Sequence, residues 1–309
     1  MELEANLDTE DLRKFLVIAK HNNLQQASAT LNVTPGALSK VIKRLEIKLN
    51  TQLFKRIGRN IKLNQQGEKF RHYALNLVHE ADQAISEFNG STKNTVVNLS
   101  GPSLLLQHYL PLLLSQFNEQ GFQFNIDTSW EGQAIEQVAS GHAHLALVTE
   151  VALNESTLQS DFERIYLGTT TFKVVAAHSH PLFEQFSKGS LTNRELFQFS
   201  FACPSISPFC GVTRGVGSDG WRDDKVPRTI SYRCNDFSTL LSLVKQGIAL
   251  AYVPDFIAND PALKVIDVLD CNYTCQERLE LVYKPSLATG WVNHIICMVF
   301  NHLTFSQAV

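Results

Sequence analysis

The chain has 309 residues, of which 44% are hydrophobic and 18% charged, and 27 Lys or Arg stand against 30 Asp or Glu for a net charge of −3. That composition belongs to a folded globular protein of about two domains and excludes a disordered or uniformly basic chain. No run approaches the roughly 20 apolar residues of a membrane span, and six scattered cysteines suit free thiols better than a disulfide framework. The first residues are acidic and polar (Glu2, Glu4, Asp8) rather than basic and then apolar like an export signal, so a cytoplasmic protein without membrane contact is expected.

In chain order, the first informative stretch is 24–45. Asn23 can cap a helix, with Gln26 as its reciprocal partner, and Leu24, Ala27 and Leu31 share one face. Asn32 and Val33 make a turn. Thr34 is a good N-cap for a second helix, and Pro35 suits its first position, where no backbone donor is needed. Ala37, Leu38, Val41, Ile42 and Leu45 form a buried stripe, leaving Ser39, Lys40, Lys43 and Arg44 outward. Helix pairs of this kind place the second helix in the major groove of DNA. The plainer alternative is an amphipathic helix with a solvated basic face. Residues 53–63 then alternate apolar and polar around Gly58, as a small hairpin would, with Arg56 and Arg59 on it. Beside a helix-turn-helix such a hairpin is a wing. Between Thr34 and Arg71 there are ten Lys or Arg and only two acids, Glu46 and Glu68. A basic region in an acidic chain is the footprint of phosphate contact.

Residues 68–88 predict one continuous helix with an apolar seam of Phe70, Tyr73, Ala74, Leu77, Val78, Ala81, Ala84, Ile85 and Phe88. About 21 residues span roughly 30 Å, too much exposed seam for a lone helix. The same helix of a second subunit is the simplest partner, and packing on the chain's own C-terminal half is the alternative. Gly90 to Asn94 form a boundary loop.

Beyond it the charge reverses, with 14 Lys or Arg against 20 Asp or Glu from residue 91 onward. Strands at 96–99, 122–128 and 145–148 alternate with helices at 104–119 and 134–140, which argues for α/β layers with a mostly parallel sheet. A second series has strands at 172–176, 229–233 and 249–253 and a helix at 237–246. A strand at 279–284 and a helix at 292–303 close the chain.

The N-terminal residues resemble a known family. Asp11 to Phe15, Leu24 to Leu31, Ala37-Leu38-Ser39, Arg44-Leu45-Glu46, Leu53 to Arg56 and Leu63 to Gly67 keep, without gaps over about sixty residues, the motif of LysR-type transcriptional regulators. The family usually has Ser-Gln-Pro where this chain has Thr34-Pro35-Gly36, and Thr in place of Asn64. The resemblance implies a winged helix-turn-helix DNA-binding domain at 7–66, a linker dimerisation helix at 67–90 and an effector-binding regulatory domain at 91–309. Leu110 to Phe117, Gly141 to Val148, His180-Pro181-Leu182 and Val244 to Pro254 match that last part more diffusely, His144 replacing a usual acidic residue. The implied fold is two-lobed α/β and periplasmic-binding-protein-like, with lobe one at about 92–162 plus 267–309 and lobe two at about 163–266.

The implied DNA contacts are Thr34, Pro35, Gly36, Ser39, Lys40, Lys43, Arg44, Arg56 and Arg59. The partner is double-stranded DNA with a pseudo-palindromic operator, read by a homodimer that the family extends to a homotetramer. Ser100 and Ser103, flanking a strand-to-helix turn, lead the effector contacts, with Gln133, Phe201 and Ser205 placed by the family pattern. Helix N-termini favour anions, so an anionic, carboxylate-bearing effector is expected.

Other chemistry is thin. Cys203 and Cys210 could meet as a thiol pair, although their surroundings do not match the family's oxidant sensors. Cys271 and Cys275 lack a second ligand pair for a metal. Gly215 to Gly220 follow no predicted strand and read as a mobile loop. No cofactor or metal is expected. A solute-binding protein would explain only the C-terminal half, and an enzyme would need an acid-base or nucleophile constellation that the sequence lacks.

Overall fold

The structure, a computed structural model, describes residues 7–21, 23–58, 60–89, 96–115, 123–158, 162–186, 190–285 and 296. Three helices open it: α1 (Thr9–His21), α2 (Leu24–Leu31) and α3 (Pro35–Lys48). Asn23 caps α2 through Gln25 and Gln26, and Asn32 ends it in the left-handed region at φ 52°. The Thr34 hydroxyl accepts the Ala37 N–H at 3.2 Å and so caps α3. A wing follows, β1 (Phe54–Ile57) against β2 (Asn60–Leu63), antiparallel with Ile57 opposite Asn60. Gly58 has φ +62°, the backbone that a two-residue hairpin turn requires and that glycine adopts at least cost. Phe15, fully buried, meets Phe54 and Phe70 edge-on at 5.6 and 5.0 Å between centroids and centres this small core.

The long helix α4 (Gln65–Asn89) begins inside the wing module. Asn64, one of the departures from the family pattern, accepts the Gly67 N–H at 2.8 Å and caps it. A Cβ on Gly67 would lie 2.0 Å from the Leu53 carbonyl oxygen, so only glycine permits this approach of the helix to the residue that leads into β1. Among the described side chains the expected seam divides in two, Phe88 lying outside them. Phe70, Ala74 and Val78 are buried in the core with α1 and α3, whereas Tyr73, Leu77, Ala84 and Ile85 are exposed. No helix among the described residues is long and apolar enough to cross a membrane.

The C-terminal half runs β3 (Val96–Gly101), α5 (Ser103–Ser115), β4 (Gln123–Thr128), α6 (Glu131–Ala139), β5 (Leu145–Thr149), α7 (Glu150–Glu155) and the long β6 (Glu163–Ala177). Next come α8 (Leu182–Gln185), β7 (Ser190–Leu191), α9 (Asn193–Leu196), β8 (Phe201–Pro204) and β9 (Ile230–Cys234). The remainder is α10 (Phe237–Lys245), β10 (Ala251–Pro254), α11 (Asp255–Ala258), β11 (Leu263–Val268) and β12 (Gln276–Tyr283). The main sheet has the order β4-β3-β5-β12-β6-β11-β7, with β10 also on β6, and β8 and β9 pair separately.

The expected mostly parallel sheet is corrected to a mixed one. β3 is parallel to β4 and β5, but β12 runs antiparallel to β5 and β6, and β10 and β11 antiparallel to β6. Strand-helix alternation holds only through β5, after which the chain crosses over. β6 pairs with β12 over Glu163–Thr171 and with β10 and β11 over Phe172–Ala177, so one strand serves both lobes. The strand expected at 172–176 is therefore its second half, and β8 and β11 were not foreseen. Asp255, at the start of α11, clamps the crossing by accepting the Thr170 hydroxyl at 2.7 Å and the Thr171 N–H at 3.1 Å. His144 replaces an acid to good effect: its Nδ1 accepts the Asn98 N–H at 2.9 Å and its own N–H donates to the Asn98 carbonyl at 2.8 Å, joining β3 to the loop before β5. The helix expected at 292–303 lies outside the described residues except for Ile296.

Candidate nucleic-acid interface and effector cleft

The outward face of α3 carries most of the predicted contacts. Thr34, Pro35, Gly36, Ser39, Lys40, Lys43, Arg44 and Arg56 are exposed, and Arg59 lies outside the described residues. Ala37, expected in the buried stripe, is exposed beside them, because only Leu38, Val41 and Leu45 turn fully inward. A Cβ at Gly36 would meet no atom within 4 Å. Packing therefore does not demand glycine there, and the leading edge of α3 is bare.

Arg44 is placed differently from its neighbours. Its Nε donates to Asp11 Oδ2 at 2.6 Å and its Nη2 to the other oxygen, and Asp11 is only 2% exposed. Its guanidinium thus braces α3 against α1, a structural duty that the charge count could not reveal. Two more braces were missed. Glu46 Oε1 accepts the N–H groups of Leu53 and Phe54 at 2.7 and 3.3 Å, and Asn23 Nδ2 donates to Asn60 Oδ1 at 2.9 Å. These fix the wing to both helices. Glu46 had left a signal, as an isolated acid in a basic stretch.

In the C-terminal half a cavity of about 60 Å³, partly open to solvent, lies between the lobes. Glu131 and Thr149 line it from α6 and the end of β5, Phe172 and Glu277 from the crossing strands, and Phe209, Arg214 and Asp219 from the long loop between β8 and β9. The lobes touch around it. The Glu131 N–H donates to the Phe209 carbonyl at 3.3 Å, Arg214 Nη2 pairs with Glu155 at 3.1 Å, and Gly211 fits so tightly under Trp130 that a Cβ would come within 2.4 Å of the ring.

None of the five predicted effector residues is among those lining this cavity. Ser100 is buried with its Oγ 2.6 Å from Ser129 Oγ. Ser103 opens α5 and is half-buried, and Gln133 is exposed on α6 at an open depression shared with Arg71 and Asp127. Phe201 is fully buried against Trp221, with centroids 6.2 Å apart. Ser205 is held by its backbone, the N–H donating to the Cys234 carbonyl at 2.8 Å.

The cavity's charge comes from elsewhere. Glu131 is 2% exposed and accepts the Thr149 N–H at 2.6 Å, while Glu277 Oε2 is buried without a hydrogen-bond partner. Burial raises both carboxyls above the usual carboxylate range, and Glu131 raises Glu277 further. The residues come from segments far apart in sequence, which is why inspection of motifs did not find them.

The glycine-rich loop expected to be mobile is anchored. Gly217, Ser218 and Asp219 are buried. Arg228, its side chain 0% exposed, donates to Asp219 at 2.7 Å and Asp223 at 3.0 Å. Its guanidinium also lies 4.9 Å from the Phe201 ring centroid and 5.2 Å from that of Trp221. Cys203 and Cys210 are free thiols, and burial pushes the Cys203 thiol far up, away from thiolate reactivity. Among the described residues no group of three or more His, Cys, Asp or Glu could hold a metal ion.

Comparison with known proteins agrees with both halves. Residues 9–68 match the model of the bacterial regulatory helix-turn-helix protein, lysR family, and residues 91–289 that of the LysR substrate binding domain. The HTH-type transcriptional regulator DgdR of Burkholderia cepacia is 33% identical over 253 residues, 81% of this chain and 78% of that protein. The transcriptional dual regulator GltC of Bacillus subtilis is 26% identical over 81% of each chain. Among solved structures, ArgP from Mycobacterium tuberculosis superimposes with a TM-score of 0.69 at 16% identity, over 96% of this chain and 98% of that one. Full-length CbnR complexed with its target DNA gives 0.58 at 16% identity, over 97% and 100%.

Proposed function

The chain belongs to the LysR family of transcriptional regulators, with a DNA-binding helix-turn-helix and an effector-binding domain, and we propose that Thr34 at the cap of α3, Pro35, Gly36, Ser39, Lys40 and Lys43 on it, Arg56 on the wing, and Arg59 contact its operator. The observation carrying this is the outward cationic face of α3, braced from behind by Arg44–Asp11 and flanked by a wing pinned to both helices. Lysine and arginine on such a face neutralise phosphates and set register, while the first residues of the helix read base edges. With Gly36 and Ala37 bare, much of the sequence preference rests on Ser39, Lys40, the wing and the shape of the DNA.

Dimerisation follows from the second stripe of α4. Tyr73 and Ile85 are 58% and 57% exposed, and with Leu77 and Ala84 they form a seam that a second copy of the helix would cover. Two copies would set recognition helices about 34–36 Å apart on a pseudo-palindromic site. A homotetramer fits the same family pattern. The cavity between the lobes is the effector site, and a ligand acts there by favouring one arrangement of the lobes over another. No catalytic step is assigned to it.

A mobility-shift assay over a salt series, with DNA from upstream of the protein's own gene, tests the reading. Specific binding should weaken steeply with salt, and Lys40→Gln or Arg56→Gln should each lower the log-log slope by about one. Equal binding to random DNA at every salt concentration would remove the basis of the assignment.

A further inference from the structure

We propose that Trp130, Glu131 and Glu155 of lobe one and the 209–214 stretch of lobe two form a latch across the mouth of the cavity, and that release of this latch admits the effector. This deepens the effector reading above and rests on it. As it stands the cavity holds about 60 Å³, whereas pockets for small molecules run to about 300 Å³ or more. A ligand of more than a few heavy atoms therefore enters only when the lobes part. The contacts that resist parting then set how readily it binds.

The first contact originates in α6. Its N-cap residue is Trp130, which makes no side-chain cap, because an indole has a donor and no acceptor. Ser, Thr, Asp or Asn is the usual choice at that position. The Glu131 N–H, one of the donors that a helix leaves open at its start, is satisfied from the other lobe, by the Phe209 carbonyl at 3.3 Å. Second, the same indole lies over Gly211, where a Cβ would come within 2.4–2.5 Å of three ring atoms. Gly211 also has φ +71°, so glycine answers two demands at once, a left-handed backbone and the approach of the ring. Third, Arg214 Nη2 reaches Glu155 at 3.1 Å.

The lobe-two side of the latch is a stiff turn. The Ser207 N–H donates to the Val212 carbonyl at 2.8 Å, and the Gly211 N–H to the Ser207 carbonyl at 3.0 Å. Ser207 Oγ accepts the N–H groups of Phe209 and Cys210. Behind the turn, Ser218 Oγ accepts the Arg214 N–H at 3.2 Å, and Arg233 Nη1 donates to the Val216 carbonyl at 2.7 Å. The turn therefore moves with lobe two. Parting of the lobes breaks all three contacts together, with no slack loop to absorb the motion.

The cavity supplies its own reporter. Cys275 lines it and is 8% exposed, while Cys203 is fully buried in lobe two, outside that lining. The full chain is treated with iodoacetamide at one fixed pH, and labelling of each cysteine is followed by mass spectrometry. Trp130→Ala should speed labelling of Cys275 by about tenfold, as a shift of population toward parted lobes. Gly211→Ala should do at least as much, and Glu155→Gln, which breaks an exposed ion pair, only about threefold. Cys203 should keep its wild-type rate in all of them. The double variant Trp130→Ala with Gly211→Ala should label no faster than Gly211→Ala alone, since without the ring the added methyl group has room. Cys275 labelling unchanged in both Trp130→Ala and Gly211→Ala overturns the latch, and so does a rise that Cys203 matches, which would mean loosening of lobe two itself. Mobility-shift and footprinting assays on the same variants separate this from the reading beneath it. Faster Cys275 labelling with DNA affinity and footprint unchanged would leave the latch standing and remove the cleft from control of DNA.

Discussion

The two halves of this chain place their charges in opposite ways. The N-terminal module turns Lys40, Lys43 and Arg56 outward and buries one carboxylate, Asp11, behind an arginine that is itself half exposed. The C-terminal half turns Glu131, Asp219 and Glu277 toward an internal cavity and seals its main arginine, Arg228, completely. An outward charge is almost free to change, because water already solvates it. An inward charge is tied to folding, because its partner is left in a poor solvent when it goes. One site is therefore tuned by substitution at little risk, and the other is tuned only at some expense in stability.

That contrast can be broken or sharpened by experiment. The largest effect is expected at the joint between wing and long helix, where Gly67→Val would drive a side chain into the Leu53 carbonyl. The N-terminal module should lose about 3 kcal/mol or more and with it specific DNA binding, while the unfolding transition of the C-terminal half stays in place. An unchanged first transition would refute the close approach. Next, Arg228→Met strands Asp219 and Asp223, and denaturant unfolding of the regulatory half should show a loss of about 3–5 kcal/mol. A loss as small as that from replacing Lys40 would erase the distinction between the halves.

Smaller, and diagnostic by its sign, is the pH dependence at Glu277. Burial first, and Glu131 second, hold this carboxyl above its ordinary 4.5. A raised acid contributes its stability fully below the ordinary value and loses it as pH climbs through the folded one. The wild-type protein should therefore lose ground to Glu277→Gln from about pH 4.5 upward, seen as a widening gap in unfolding midpoint. A gap of constant size would mean that the carboxylate is already neutralised. Last, Asn23→Ala removes the α2 cap and the tie to Asn60, and should cost about 1 kcal/mol in thermal unfolding. A cost indistinguishable from zero would show that the wing is held by other contacts alone.

The difference in placement also explains what could be read from the sequence. Caps, turn and stripe in 23–45 are local, so Asn23, Asn32, Thr34 and Pro35 declared their roles by position, and the outward charges followed by subtraction. Only long-range ties escaped: Arg44 counted as a DNA contact because Asp11 lies 33 positions away. In the C-terminal half the elements through β5 were legible because their connections are short. The crossing strand β6 was half missed, since its first nine residues alternate around Gly168 without a strong apolar signal. The cavity was missed altogether, for it draws on residues from Glu131 to Glu277, and no spacing rule links them.

The seating of α4 bears on how a message could travel. Its first turns belong to the DNA-reading core, and the same unbroken helix carries the exposed seam, so no loose joint separates head from shaft. At 25 residues the shaft is about 37 Å long, and a tilt of about 10° at one end would move the other by roughly 6 Å, close to the width of a minor groove. A modest change of angle between paired shafts would be enough to bring two heads into or out of step with the DNA.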